Sequence, residues 1–247
     1  MKPRSINIMN LRRHTLLDIC DSGREAMLVE LAGSGPDSAI LRENYARVLL
    51  PAKAGGRVPG VVRREEGMLR PGWIPVGFST PVPGKSGRLR VAAFARQEDI
   101  RRSITPYEIL RLSSAPPRNS CTTALAVVSE QAKAFGLELG VWGSAALELY
   151  TGLPCTHQDS DLDLLVAVAP RDALSRFLLK LESMEEHFKL RIDVELDLPN
   201  GYGVHLKELF GKGRTVLGKS LTDVALLPRE KILSELPQEL TARSRLA

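Results

Sequence analysis

Asp161 and Asp163 stand one residue apart at the start of an apolar run, Leu164-Leu165-Val166-Ala167-Val168. Successive side chains of a strand point to opposite faces, so the two carboxylates share one face and Leu162 and Leu164 share the other. Two like charges ~4 Å apart repel by about 4 kcal/mol at an effective dielectric of 20, so a cation is needed between them. A divalent ion removes that repulsion. Carboxylate oxygens suit Mg²⁺, which binds one or two of them and takes further ligands from substrate phosphates. The pair therefore points to phosphoryl chemistry. An edge strand with a solvated polar face gives the same DxD pattern. Here, however, the strand runs on as a segment apolar on both faces, which puts the aspartates near the end of a buried sheet element.

Upstream, Gly143-Ser144 opens a short helix. Glycine lets backbone approach a ligand closely, and the helix start offers free N–H groups and a positive dipole end to a phosphate. A serine N-cap after a glycine turn reads the same in isolation, and only its combination with DxD is specific. A third carboxylate is expected from a neighbouring strand. In Arg191-Ile192-Asp193-Val194-Glu195-Leu196, parity places Asp193 and Glu195 on one face, and either completes the site, with Asp193 preferred. A strand with a charged outer face is the alternative. Lys219, after a short apolar run, is a candidate phosphate contact. Arg88 and Arg90 share a face if Leu89 to Phe94 is a strand, and with His14, beside Arg12 and Arg13, they are candidates for gripping a polyphosphate. His157 and Asp159 lie in the loop before the DxD strand; Asp159 shares parity with the pair, an argument that loop geometry weakens, and His157 reads as a solvated loop position.

These residues need elements to hold them. Leu125, Val128, Ala132 and Phe135 fall at helical spacing before Gly136. Leu137 to Trp142 reads as a strand, Gly143 to about Tyr150 as a short helix, and Ser160 to Val168 as the aspartate strand. Leu174, Phe177, Leu178, Leu181 and Met184 mark an amphipathic helix opened by Pro170. Leu190 to Leu198 is the next strand, with Gly203 to Phe210 its hairpin partner across Pro199-Asn200-Gly201. Thr215 to Leu217 and Val224 to Leu227 add short strands, and Glu230 to Leu240 a terminal helix. The sum is a mixed sheet with helices packed on it. Thr105-Pro106-Tyr107-Glu108 has capping-box spacing with proline at the first helical position. In the first half, Ala39 to Leu50 is helical, and Val58 to Arg64, Ile74 to Phe78 and Leu89 to Phe94 are strands separated by Gly/Pro turns.

The fold class is thus α+β. The polar, proline-bearing stretch from Ser113 to Asn119 divides a β-rich domain, residues 1–114, from a catalytic domain, residues 118–247. With 247 residues, 43% hydrophobic and 26% charged, the chain can hold one large domain or two modest ones, each able to bury a core, and its composition argues against disorder. No apolar run approaches the ~20 residues a bilayer requires, and the start of the sequence lacks a signal-peptide core, so the expectation is a cytoplasmic protein with no membrane partner. Cys20, Cys121 and Cys155 form no CxxC pair and read as free thiols. The net charge of +5 suits an anionic partner. Aromatic residues make up only 5%, too few for base-stacking platforms, which favours a small anionic substrate over nucleic acid.

The order Gly-Ser, helix, DxD, helix, third carboxylate on a strand resembles the nucleotidyltransferase superfamily typified by DNA polymerase β, with an enlarged loop between Ser144 and Asp161. Within it the chain is similar to the phosphoribosyl-dephospho-CoA transferases, the holo-acyl-carrier-protein synthases of malonate decarboxylase. The pieces that carry this likeness are Arg13-His14, PGVVRR from Pro59 to Arg64, Val76-Gly77, GRLRVAAF from Gly87 to Phe94, the Gly-Ser/DxD block, RIDVEL and Lys219. Members of that family often carry glycine where Val194 stands. The resemblance implies 2'-(5''-triphosphoribosyl)-3'-dephospho-CoA as donor and a serine of the apo acyl-carrier subunit of malonate decarboxylase as acceptor. It implies Mg²⁺ held by Asp161, Asp163 and Asp193, and phosphates cradled by Gly143-Ser144. An enzyme using a nucleoside triphosphate, and a non-catalytic binding module on the same fold, are the alternatives.

Overall fold

Alternation is the plainest order in the first half of the chain. Along Trp73–Ser79, Ile74, Val76 and Phe78 are buried while their neighbours are not, and Val91, Ala93 and Ala95 alternate likewise along Arg90–Arg96. The computed structural model describes residues 11–33, 35, 37–50, 57–64, 71–81, 87–112 and 116–238. It divides into two compact units. One holds the residues up to Pro106 together with Leu147–Cys155, and the other holds Tyr107–Ala146 together with the residues from Thr156 onward.

The first unit contains strand β1 (Leu16–Ile19), helices α1 (Asp21–Ala32) and α2 (Ser38–Leu49), and strands β2 (Gly60–Val62), β3 (Trp73–Ser79), β4 (Arg90–Arg96) and β5 (Ile100–Ile104). They form an antiparallel sheet of order β4-β3-β2-β1-β5. The expected strands and α2 are present. The sequence reading omitted β1, α1 and β5. Helix α1 escapes an apolar periodicity because an arginine occupies its buried face. Arg24, 1% exposed, donates to the carbonyls of Ile19 (3.1 Å), Leu49 (3.1 Å) and Val58 (2.8 Å), and lies 5.3 Å from the Phe78 ring centre. Three charge-assisted bonds offset its desolvation.

The second unit begins with α3 (Pro106–Leu112) and α4 (Ser120–Ala134). Asn119 opens α4 with a reciprocal cap, its Oδ1 taking the Thr122 N–H while Thr122 Oγ1 takes the Asn119 N–H. There follow β6 (Leu139–Val141), α5 (Gly143–Thr151, counted with the first unit from Leu147 on), β7 (Leu162–Ala167), α6 (Arg171–Phe188), β8 (Ile192–Asp197), β9 (Gly203–His205), α7 (Leu206–Leu209), β10 (Thr215–Lys219), β11 (Val224–Pro228) and α8 (Arg229–Glu235). Strand order is β11-β10-β9-β8-β7-β6, mixed as expected, with β7 and β8 parallel and every other pair antiparallel. Ala173, Leu174, Phe177, Leu178, Leu181 and Met184 form the buried stripe of α6, and Phe135, just past α4, meets Phe177 edge-on at 6.1 Å.

The hairpin across Asn200-Gly201 forms, with Gly201 at φ 88° and Asp197 opposite Gly203. Its second strand is shorter than expected. It stops at His205, and Leu206 and Leu209, both fully buried, turn into α7, because apolar residues three apart face one side of a helix and opposite sides of a strand. Residues 113–115 of the proline-bearing stretch and 239–240 of the expected terminal helix lie outside the described residues. All three cysteines are free thiols, and among the described residues no helix is long and apolar enough to cross a membrane.

Candidate active site

Strand register builds the site. Leu162, Leu164 and Val166 of β7, with Ile192, Val194 and Leu196 of β8, are all buried at 2% or less. The opposite face therefore carries Asp163 beside Asp193 and Leu165 beside Glu195, since paired residues of adjacent strands point the same way. Asp161, one residue before β7, is exposed, and its carbonyl faces the Cys121 thiol at 3.6 Å. The leading loop is tied down by Thr156, whose Oγ1 accepts from Asn119 Nδ2 at 2.8 Å and whose carbonyl accepts from Arg118 at 2.6 Å. His157 and Asp159 are exposed in that loop, the solvated position read from the sequence for His157.

Gly143 is where the two motifs meet. The antiparallel β6–β7 pairing carries on into a bond from the Trp142 N–H to the Asp163 carbonyl (3.0 Å), which brings the next residue over the Asp163 side chain. Gly143 has φ 68°, a conformation that favours glycine, and a Cβ placed there would overlap Asp163 Oδ2 and lie 3.0 Å from its Cγ. The first turn of α5, with Ser144, thus starts directly against a carboxylate, at the positive end of the helix.

Burial raises the Asp163 pKa to about 7, with the charges of Asp193, Asp161 and Glu195 adding to the rise and Arg191 opposing it. Asp193, 16% exposed, is held by three donors. Arg191 Nε reaches Oδ1 at 3.0 Å, Arg191 Nη2 reaches Oδ2 at 2.7 Å, and His205 Nε2 reaches Oδ1 at 3.0 Å. An ionised carboxylate only accepts, so Nε2 carries the imidazole proton and Nδ1, buried without a partner among the described residues, is left as an acceptor. Glu185 at the end of α6 accepts the Ile192 N–H (2.8 Å) and Lys207 Nζ (2.7 and 2.6 Å), pinning the start of β8 to α7.

Gly143, Ser144, Asp161, Asp163, Asp193 and Glu195 therefore lie on adjoining elements. Lys219 closes the same face two strands away, lining a cleft with Glu195. Arg88, Arg90 and His14 belong to the other unit. Arg90 opens β4 and is exposed, Arg88 donates to the Cys155 carbonyl, and His14 is buried in the turn before β1 at φ 67°. Sequence reasoning missed Arg191, His205 and Lys207. Parity puts Arg191 on the face of Asp193 and the hairpin puts His205 opposite Glu195, but neither signal shows that both donate to one carboxylate.

The residues present fit a divalent ion at the DxD end. Buried carboxylate crowding raises the proton affinity of Asp163, and that negative potential is what a cation relieves. Among the described residues no three His, Cys, Asp or Glu side chains form a ready-made metal cage.

Residues 12–106 match the family described as phosphoribosyl-dephospho-CoA transferase MdcG, N-terminal domain, and residues 109–230 match its C-terminal domain. A phosphoribosyl-dephospho-CoA transferase of Xanthomonas campestris pv. campestris is 34% identical over 215 residues, which span 87% of this chain and 98% of the relative. Proteins of the same name from Bradyrhizobium diazoefficiens and from Pseudomonas putida strain GB-1 are 26% and 36% identical. Those matches cover 90% and 67% of this chain, and 92% and 76% of the relatives. No solved structure matches the chain.

Proposed function

The chain belongs to the phosphoribosyl-dephospho-CoA transferase family, a family of transferase enzymes, and from that premise we propose its reaction. The donor is 2'-(5''-triphosphoribosyl)-3'-dephospho-CoA, the acceptor a serine hydroxyl on the apo acyl-carrier protein of malonate decarboxylase, and the second product pyrophosphate. The observation that carries this reading is the Asp163 carboxyl wedged against the Gly143 turn and surrounded by Asp161, Asp193 and Glu195. It supports a nucleotidyltransferase-type fold for the second unit, in which Gly143-Ser144 and the first turn of α5 receive the donor's phosphates.

Asp161 and Asp163 would hold Mg²⁺, with Asp193 as third carboxylate, and the ion would supply neutralisation of phosphate charge and favour ionisation of the acceptor hydroxyl. Asp193, kept in one orientation by Arg191 and His205, takes the hydroxyl proton, with Glu195 as the alternative. The serine oxygen bonds to the α-phosphorus, the bond from that phosphorus to the pyrophosphate oxygen breaks, and pyrophosphate leaves with the electron pair. Basic side chains stabilise it as it departs. The first unit serves recognition of the CoA-like moiety or of the carrier, and the enzyme works in the cytoplasm.

Intact mass of the carrier protein after incubation with enzyme, donor and Mg²⁺ tests this. The expected result is a gain equal to the prosthetic group, lost in Asp161→Ala and Asp163→Ala while the far-UV spectrum stays native. Transfer from ATP to any acceptor, with none from the dephospho-CoA donor, would replace this reading by that of a nucleoside-triphosphate enzyme.

A further inference from the structure

The carboxylate row does not end at Asp193. Across the sheet the register continues from Leu165 through Glu195 to His205, and from Ala167 through Asp197 and Gly203 to Lys219. On this side of the third carboxylate lies a cleft of ≈ 390 Å³, lined chiefly by Arg191, Glu195, His205, Lys207, Glu208 and Lys219. Its arginine and lysines come from three separate places: the residue just before β8, α7 and the end of β10. Between Gly203 and Lys219 the chain carries Lys207, Lys212, Arg214 and Lys219 against a single carboxylate, Glu208.

Hydrogen-bond capacity indicates what the cleft lacks. A guanidinium has five N–H donors, and Arg191 uses two of them on Asp193. An ammonium has three, and Lys207 directs its bonds to the two oxygens of Glu185. The remaining N–H groups of both side chains have no acceptor among the described residues. Of the two lining carboxylates, Glu195 is 6% exposed and Glu208 is exposed, spending one acceptor site on the Leu217 N–H at 3.4 Å; beside them the unspent N–H groups of Arg191 and Lys207 carry positive charge. A ligand that satisfies them is rich in acceptor oxygens, doubly charged or more, and wide enough to meet cations from three places. A diphosphate has those properties, and planar guanidinium donors suit its oxygens.

We propose that this cleft seats the diphosphate of the dephospho-CoA moiety, while the triphosphate end of the same donor lies at Gly143-Ser144 and the DxD pair. The assignment rests on the donor named under the proposed function. It gives the enzyme two separate anion sites, one dependent on Mg²⁺ and one built only from side-chain cations. The transferred group is gripped at the second site while pyrophosphate leaves from the first.

Calorimetric titration with 3'-dephospho-CoA, without Mg²⁺, tests the seat on the full chain. Lys219→Glu and Lys207→Met, each checked for a native unfolding transition, are expected to weaken 3'-dephospho-CoA binding by about tenfold or more. Asp161→Asn is expected to bind it as the wild type does, and to lose instead the Mg²⁺-dependent binding of inorganic pyrophosphate. Wild-type affinity for 3'-dephospho-CoA in both lysine variants overturns the proposal. So does a loss confined to pyrophosphate in those variants, which would make the cleft the leaving-group site. If the wild type neither binds 3'-dephospho-CoA nor modifies the carrier, the proposed function itself fails. If it modifies the carrier and the lysine variants bind normally, only the cleft assignment fails.

Discussion

Asp163 is the side chain on which most of the site's electrostatics converge. Its folded-state pKa, about 7, lies above that of an unfolded aspartate, so between roughly pH 4 and pH 7 the native chain holds a proton that the unfolded chain has released. Stability therefore falls as pH rises through that window. Asp163→Asn should abolish that part of the slope and stabilise the protein at pH 8 by at most about 4 kcal/mol, read from urea midpoints at pH 5 and pH 8. Asp193 poses the opposite case, a carboxylate whose orientation is set by Arg191 and His205. His205→Ala removes one of three donors and should lower kcat by about 10–100-fold, as loss of an outer partner does at comparable carboxylate sites. His205→Gln, which keeps a side-chain N–H donor, should recover part of the rate. Equal rates in the two variants would mean that orientation of Asp193 is not what His205 provides. The pairing of Asp161 with Asp163, and of Asp193 with Glu195, was legible from parity alone. The clamp was not, because parity shows only that Arg191 shares a face with Asp193, and the third donor, His205, arrives only after a turn.

At the level of elements, the β6–α5 turn decides whether phosphate and carboxylate chemistry share a location. Gly143 is confined twice, by φ 68° and by Asp163 Oδ2 in the space a Cβ would take. Gly143→Ala should cost about 1–3 kcal/mol in backbone strain and displace Asp163, so activity should fall further than thermal stability does. Unfolding midpoints and carrier mass gain measured side by side check this, and full activity in a folded Gly143→Ala protein would remove the close approach from the argument. Elements whose burial has one period were legible in advance. The α6 stripe from Ala173 to Met184 and the alternation along β8 are such cases. Elements with mixed signals were not. Helix α1 buries Arg24 where a periodic pattern calls for an apolar residue, and β5 buries only Ile100 and Ile104, with arginines between them.

Across the molecule, the net charge of +5 and a pI near 9.2 bias the enzyme toward anionic partners. An acidic carrier protein should accordingly show a KM that rises with ionic strength while kcat stays level, since contacts between exposed charges are screened over about 8–10 Å at 0.10–0.15 M salt. A KM indifferent to salt would assign carrier recognition to apolar contact instead. The two sheets divide the chain's cores: one unit is antiparallel throughout, and the other has a single parallel pair, β7 and β8, inside its six-stranded sheet. That pair is what brings two acidic segments, some thirty residues apart in sequence, into adjacent register.

From residue order alone came the carboxylate pair, the glycine turn before a helix, the mixed sheet and the hairpin at Asn200-Gly201, because each depends on periodicities and turn chemistry that act over a few residues. Folding alone set Gly143 against Asp163, joined Arg191 and His205 on one carboxylate, raised the Asp163 pKa and gathered Arg191, Lys207 and Lys219 around one cleft. Those outcomes depend on distances between residues far apart in the chain and on the water excluded around them, and neither quantity exists until the strands are in register.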